Sequence, residues 1–177
     1  LKATVIAVVG GKKSGKTTTI EALTRGLAKR GFRVAAVKHV PEPDFTIDTE
    51  GKDTWRYAQA GARTIIGVSP DEVATMEKIT IKSYPFGSIL KKCGKVDVIF
   101  LEGFRKQVGN KRNIFKIVIT RSAEEASEAL KVFKPILAFT GPYSTKSMHS
   151  DIPYVDTSRN VDEIIDIIEK IARKKKT

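Results

Sequence analysis

Short apolar runs rich in β-branched residues alternate along this chain with stretches whose apolar positions recur every three or four residues. The first run, Thr4-Val5-Ile6-Ala7-Val8-Val9, lacks the polar alternation of a half-exposed strand and reads as one buried on both faces. Similar runs fall at residues 33–38, 63–68, 96–101, 115–120 and 135–140. Helical spacing predicts helices over 17–30, 123–131 and 160–174. Ile20, Leu23 and Leu27 share a face of the first helix, and Gly31 follows as a stop. Ile164, Ile168 and Ile171 share a face of the last, where Asn160 and Glu163 have the spacing of a capping box. Strand-helix alternation of this kind implies a mostly parallel sheet covered by helices on both faces, a three-layer α/β fold.

The middle departs from that rhythm. Residues 63–78 read as two short β pieces around Ser69-Pro70-Asp71, an antiparallel hairpin extension of the parallel core. Residues 39–51 and 103–113 read as polar loops, which in compact α/β folds are commonly functional. A chain of 177 residues has room for one complete core, while two independent ones would be cramped. The expectation is a single domain over 1–177, with 63–78 as an excursion and 170–177 as a basic tail.

The chemistry lies in Gly10-Gly11-Lys12-Lys13-Ser14-Gly15-Lys16-Thr17, which fits G-x-x-x-x-G-K-[ST] between the first strand and the first helix. Glycines let the backbone turn consecutive N–H groups onto a phosphate, and the helix N-terminus adds partial positive charge. Lys16 then reaches the outer phosphates, and the Thr17 hydroxyl, followed by Thr18, can ligate Mg²⁺. The plain alternative is a glycine-rich turn with solvated lysines. Strand, loop and helix in this order favour a P-loop NTPase-like fold that binds a nucleotide.

Such a loop works with a carboxylate at the C-terminal end of a neighbouring strand. Two acids compete in the run at 96–101, Asp97 and Glu102. They are five residues apart, about 16 Å along an extended strand. Glu102 is the metal-side candidate, and Asp97 is expected to cap the far end of the sheet. A second cluster comprises His39, Asp48, Gly51, Lys52, Asp53, Thr54 and Arg56. His39 directly follows the second strand and so faces the crevice end, although a hydrogen-bonded loop histidine would look the same. His149 has no obvious companions.

Composition narrows the classes. The lone Cys93 excludes an internal disulfide and a cysteine zinc site, and a cytoplasmic setting is expected. No apolar run approaches a membrane span, and Lys2 ahead of the first strand does not suggest a leader. The net charge of +12 favours an anionic ligand or an acidic partner. Nucleic acid would suit the charge, but no helix-turn-helix or aromatic RNA-binding signature accompanies it.

Five segments appear in a telling order: Val-Gly-Gly-Lys-Lys-Ser-Gly-Lys-Thr-Thr at 9–18, Val-Lys-His at 37–39, Ile-Asp-Thr-Glu-Gly-Lys-Asp-Thr at 47–54, Ala-Gly-Ala at 60–62 and Leu-Glu-Gly-Phe at 101–104. Together they resemble the molybdopterin-guanine dinucleotide biosynthesis protein B family, MobB. The resemblance implies a Mg²⁺-dependent GTP-binding adapter with weak hydrolytic activity, acting as a homodimer. Its implied partners are a MobA-like nucleotidyltransferase that joins GMP to molybdopterin, and molybdopterin or its carrier enzymes. It also implies that residues 10–18 hold the nucleotide, that Glu102 serves the metal and that Asp48, Lys52 and Asp53 border the site. Two features depart from expectation. Related P-loop proteins with a signature lysine place it directly after the first loop glycine, where this chain has Gly11. No [NT]-K-x-D guanine-reading motif is present, since Thr145-Lys146-Ser147-Met148 lacks the acid. The competing enzymatic reading is a small-molecule P-loop kinase.

Overall fold

The computed structural model describes residues 3–80, 84–146 and 151–175; His149, Ser147 and Met148 lie outside them, as do the last two residues of the basic tail. The described chain forms two compact units, one of residues 1–39 and 90–177, the other of residues 40–89.

The first unit is built on a five-stranded sheet. In chain order its strands are β1 (Thr4–Val9), β2 (Val34–Lys38), β5 (Val98–Glu102), β6 (Ile114–Ile119) and β7 (Ile136–Thr140), arranged β2-β5-β1-β6-β7. All pairs are parallel, so every strand presents its C-terminal end to the same edge. Register carries the functional consequence: Val8 pairs with Glu102, Lys38 with Glu102, and Val9 with Val118. Every residue of β1 is buried, as expected for a central strand.

Helices α1 (Lys16–Lys29) and α6 (Val161–Lys174) pack on one face. Ile20, Leu23 and Leu27 of α1 meet Ile164, Ile165 and Ile168 of α6 over Ile6, Val8, Phe100 and Ile117. Strand residues of opposite parity, Val5, Ala7, Ile99, Leu101 and Val118, are buried as well, so both faces are covered. Helices α4 (Arg105–Val108) and α5 (Ala123–Val132) bring the buried side chains of Val108, Ala126 and Ala129. Helix α1 ends as the sequence foretold. Gly31 adopts φ 79°, its N–H donates to Ala28 O, and Phe32 N–H donates to Leu27 O, a Schellman closure. Arg30 then reaches Asp162, Asp166 and Glu169 on α6.

Two expectations need correction. Asn160 does not cap α6 through its side chain; its amide instead donates to Glu163 Oε2 at 3.2 Å. The loop expected at 103–113 contains the one-turn helix α4, whose Val108 is fully buried. A further surprise is Lys116, which is buried in β6 with its ammonium donating to the carbonyls of Lys111, Ile114 and Lys134 at 2.7–2.8 Å. Burial pulls its pKa down to about 8, so the group still carries its proton at neutral pH.

The second unit holds α2 (Asp53–Gln59) and an antiparallel pair, β3 (Thr64–Val68) with β4 (Val73–Glu77). Among the described residues this hairpin forms its own two-stranded sheet, hydrogen-bonded to no strand of the five. Ser69 closes the turn through both its N–H and its hydroxyl to Glu72 O. Ile65 is buried, whereas Ile66, Val68 and Val73 are exposed by 58%, 75% and 66%. Val68 pairs with Val73 and Ile66 with Thr75, so one apolar face of the hairpin points outward. Helix α3 (Phe86–Lys92) follows.

Candidate phosphate and metal site

The site begins where β1 ends. Lys13 (φ 57°) and Gly15 (φ 94°) both adopt left-handed backbone, which lets the chain wrap before entering α1. A side chain at Gly10 would run into Ser14 Oγ and the Ile119 carbonyl, so the loop's first glycine is required by close packing against β6. Ser14 Oγ is buried and has no hydrogen-bond partner among the described residues. An orphaned hydroxyl inside a glycine-lined cradle fits an anionic ligand.

Helix termini support the same reading. Helices α5 and α6 carry acids in their first turns, Glu124 and Glu125 in one and Asp162 and Glu163 in the other. The first turn of α1 has none, and its N-cap, Gly15, supplies no side-chain hydrogen bond. The positive end of the α1 dipole is therefore left for an external anion.

Lys16 turns its ammonium back onto the loop, 2.6 Å from Gly11 O and 3.3 Å from Gly10 O. Burial lowers its pKa; Glu102 opposes this, while Lys38 and Arg121 add to it. A phosphate seated in the loop would relieve that crowding of cations. Thr17 Oγ1 lies 3.2 Å from both Glu102 carboxylate oxygens. The Glu102 side chain is only 13% exposed and has Lys38 Nζ 3.6 Å away. Among the described residues no three His, Cys, Asp or Glu side chains gather to hold a metal. Mg²⁺ needs no such cage, because it uses one or two protein oxygens together with phosphate oxygens and water. Thr17 and Glu102 suit that arrangement, and a cleft of about 570 Å³ between α1 and β2 opens beside them.

Asp97 sits at the other end of β5. Its carboxylate accepts from Arg33 N at 2.9 Å and pairs with the Arg33 guanidinium at 3.2 Å. His39 N–H donates to Glu102 O at 2.9 Å, and its ring packs edge-on to Phe104 with centroids 5.4 Å apart. Gly103, at φ 85°, leaves room for the His39 carbonyl. His39 thus buttresses the strand end that carries Glu102.

Asp48, Lys52 and Asp53 belong to the second unit. Asp48 Oδ1 accepts from Thr49 N and Thr54 Oγ1, tying the loop to the start of α2. Lys52 is the N-cap position of α2, and Asp53 forms an exposed pair with Arg56 at 3.7 Å. Trp55 lines a cleft of about 420 Å³ with Phe45, Ile65 and Met76.

Two side chains at the loop were not expected there: Lys38, within the Val-Lys-His segment, and Arg121. Lys38 reaches Glu102 because β2 pairs with β5. Arg121 lies two residues beyond β6, where its Nε and one terminal nitrogen hold Glu125 Oε1 at 3.0 and 2.5 Å. The signals available were a strand-end position for each, and the Ser122-x-x-Glu125 spacing after Arg121.

A family model described as molybdopterin guanine dinucleotide synthesis protein B matches residues 5–140. The chain belongs to the MobB family. It is 29% identical over 126 residues to the molybdopterin-guanine dinucleotide biosynthesis adapter protein of Haemophilus influenzae, covering 70% of each. It is 32% identical over 121 residues to a Methanocaldococcus jannaschii protein whose name places it among the same adapters. There the match takes 68% of this chain but spans only 48% of that longer protein. A crystal structure of a MobB protein superposes with a TM-score of 0.73 at 24% identity, over 96% of this chain and 99% of the other. The MobB homologue from Bacillus stearothermophilus gives 0.68 at 21%, over 97% and 99%. These likenesses establish the P-loop NTPase-like fold, with its mostly parallel sheet and separate antiparallel pair.

Proposed function

We propose that this MobB chain is a Mg²⁺-dependent GTP-binding adapter in the assembly of molybdopterin guanine dinucleotide, with slow hydrolysis. The observation that carries the reading is the contact of Thr17 with Glu102 beside a loop whose helix N-terminus is free of acids. Residues 10–18 cradle the phosphates by backbone N–H groups, Lys16 neutralises the outer ones, and Thr17 with Glu102 holds the metal side. Bound Mg²⁺ supplies charge neutralisation on the phosphate oxygens. Guanine preference rests on membership of the family, since no base-reading motif accompanies the loop.

An adapter needs partners. The homodimer is the proposed working form, with the outward apolar face of the hairpin as the surface that needs covering. A MobA-like nucleotidyltransferase, and molybdopterin or its carrier enzymes, are the proposed partners. The segment at 48–56 is read as a recognition surface that handles the anionic pterin phosphate or presents the nucleotide state to the partner enzyme, with Lys52 and Arg56 as its cations. Turnover of GTP alone, compared with GTP plus candidate acceptors and with GTP plus the nucleotidyltransferase, tests the reading. Stimulated cofactor nucleotidylation with slow intrinsic hydrolysis supports the adapter. Stoichiometric phosphoryl transfer to a small acceptor would make it a kinase instead.

A further inference from the structure

The space above Gly11 is taken by an arginine from elsewhere in the chain. A Cβ built on Gly11 would collide with the Arg121 guanidinium, meeting its Cζ at 3.0 Å and its Nε at 3.6 Å. No backbone strain explains the glycine, because position 11 lies outside the left-handed region that Lys13 and Gly15 use. Arg121 alone among the nearest atoms occupies the space a side chain would take there, so a residue with a Cβ would have to displace its guanidinium.

Arg121 is also held in place. It occupies the position just ahead of α5, whose N-cap Ser122 accepts from Glu125 N. Glu125 turns back to accept from Arg121 N at 2.9 Å and from two guanidinium nitrogens. The helix start thus fixes the carboxylate, and the carboxylate fixes the plane of the guanidinium. That pairing consumes Nε and one terminal nitrogen. The terminal nitrogen nearest Gly11 is the one Glu125 holds, and the other touches Lys12 O at 3.5 Å, the outer limit of a hydrogen bond. A guanidinium oriented by Glu125 over Gly11 and beside Lys12, at the phosphate loop, is arranged for an anion.

We propose that Arg121 is a phosphate-binding residue of this site, supplied from within the same chain by the β6–α5 junction and reaching over Gly11. Its partner is the polyphosphate of the bound nucleotide, to which the guanidinium offers the N–H groups that Glu125 leaves over, as charge-assisted donors. Thr17 and Glu102 take the β5 side of the loop and Arg121 takes the β6 side. The absence of a side chain at Gly11 then leaves the space this arginine occupies. This inference rests on the nucleotide-binding reading above.

The test is a double-mutant cycle read as the dissociation constant for Mg-GTP, with thermal melting as the folding control. Arg121→Ala should weaken binding about tenfold, as expected for a lost charge-assisted contact of about 1.4 kcal/mol or more, and Arg121→Lys should recover part of it. Gly11→Ala should weaken binding similarly by displacing the guanidinium, and Gly11→Ala with Arg121→Ala should be no weaker than either alone. Wild-type affinity in Arg121→Ala, or losses that simply add in the double variant, would overturn the proposal while leaving the nucleotide site intact. Absence of GTP binding by the wild type would instead remove the reading on which it rests.

Discussion

Thr17 Oγ1 stands 3.2 Å from each oxygen of Glu102, although 85 residues separate them. Two features of the fold create the contact: the parallel pairing of β1 with β5, which sets Glu102 beside Val8, and the tight loop that returns the chain into α1. The first prediction concerns this pair. Glu102→Gln should weaken the Mg²⁺ dependence of GTP binding and hydrolysis. Asp97→Asn should leave that dependence unchanged and lower the melting temperature, because Asp97 is buried against Arg33 at the opposite strand end. Mg²⁺ titrations of the two variants check this, and equal effects would contradict it.

Lys116 gives a prediction about stability. Its ammonium satisfies three backbone carbonyls, two of them in the connections that bring Lys111 and Lys134 together. Lys116→Met fills similar volume, and Lys111 O keeps the Ile114 N–H as a donor at 3.1 Å, which leaves the carbonyls of Ile114 and Lys134 without this one. At roughly 1–3 kcal/mol for each buried unsatisfied group, the loss should be about 2 kcal/mol. Urea unfolding checks it, and a change under 1 kcal/mol would contradict the account.

The hairpin predicts an assembly. Ile66, Val68 and Val73 form an apolar outward face, and such a face on a two-stranded sheet favours association. Sedimentation velocity should show a dimer at micromolar concentration, and Val68→Asp should shift it toward monomer. A monomeric wild type would remove the dimer from the account.

The segment at 48–56 is tested by Lys52→Ala combined with Asp53→Ala. Both side chains are exposed, and neither ties the loop to α2, which Asp48 does. The double variant should melt like the wild type and lose stimulation of cofactor nucleotidylation. Undiminished stimulation would reduce these residues to a solvated helix start.

Much of this was legible in the sequence because the decisive residues are contiguous. Gly10 to Thr17 with its flanking strand and helix needs no long-range information, and the separation of Asp97 from Glu102 along one strand distinguishes their ends. Lys38 and Arg121 were not legible as loop neighbours, because strand pairing across the sheet brings them there. Helix α2 has no buried residue and so leaves no apolar period to detect. Helix α4 did leave a trace, since Phe104 and Val108 are both buried and lie one turn apart, but two positions in a polar stretch read as loop. Lys116 lies within the apolar run at 115–120, and only the fold shows which carbonyls it serves.

Everything proposed for this chain depends on the loop at 10–17 taking Mg-GTP. Isothermal titration of GTP and ATP into the wild type and into Lys16→Ala, with Mg²⁺ present and after chelation, tests it most directly. The account predicts one GTP per chain, preferred over ATP, weakened by chelation, and lost in a Lys16→Ala variant that melts like the wild type. Unchanged GTP affinity in Lys16→Ala, or no binding of either nucleotide by the wild type, would contradict it.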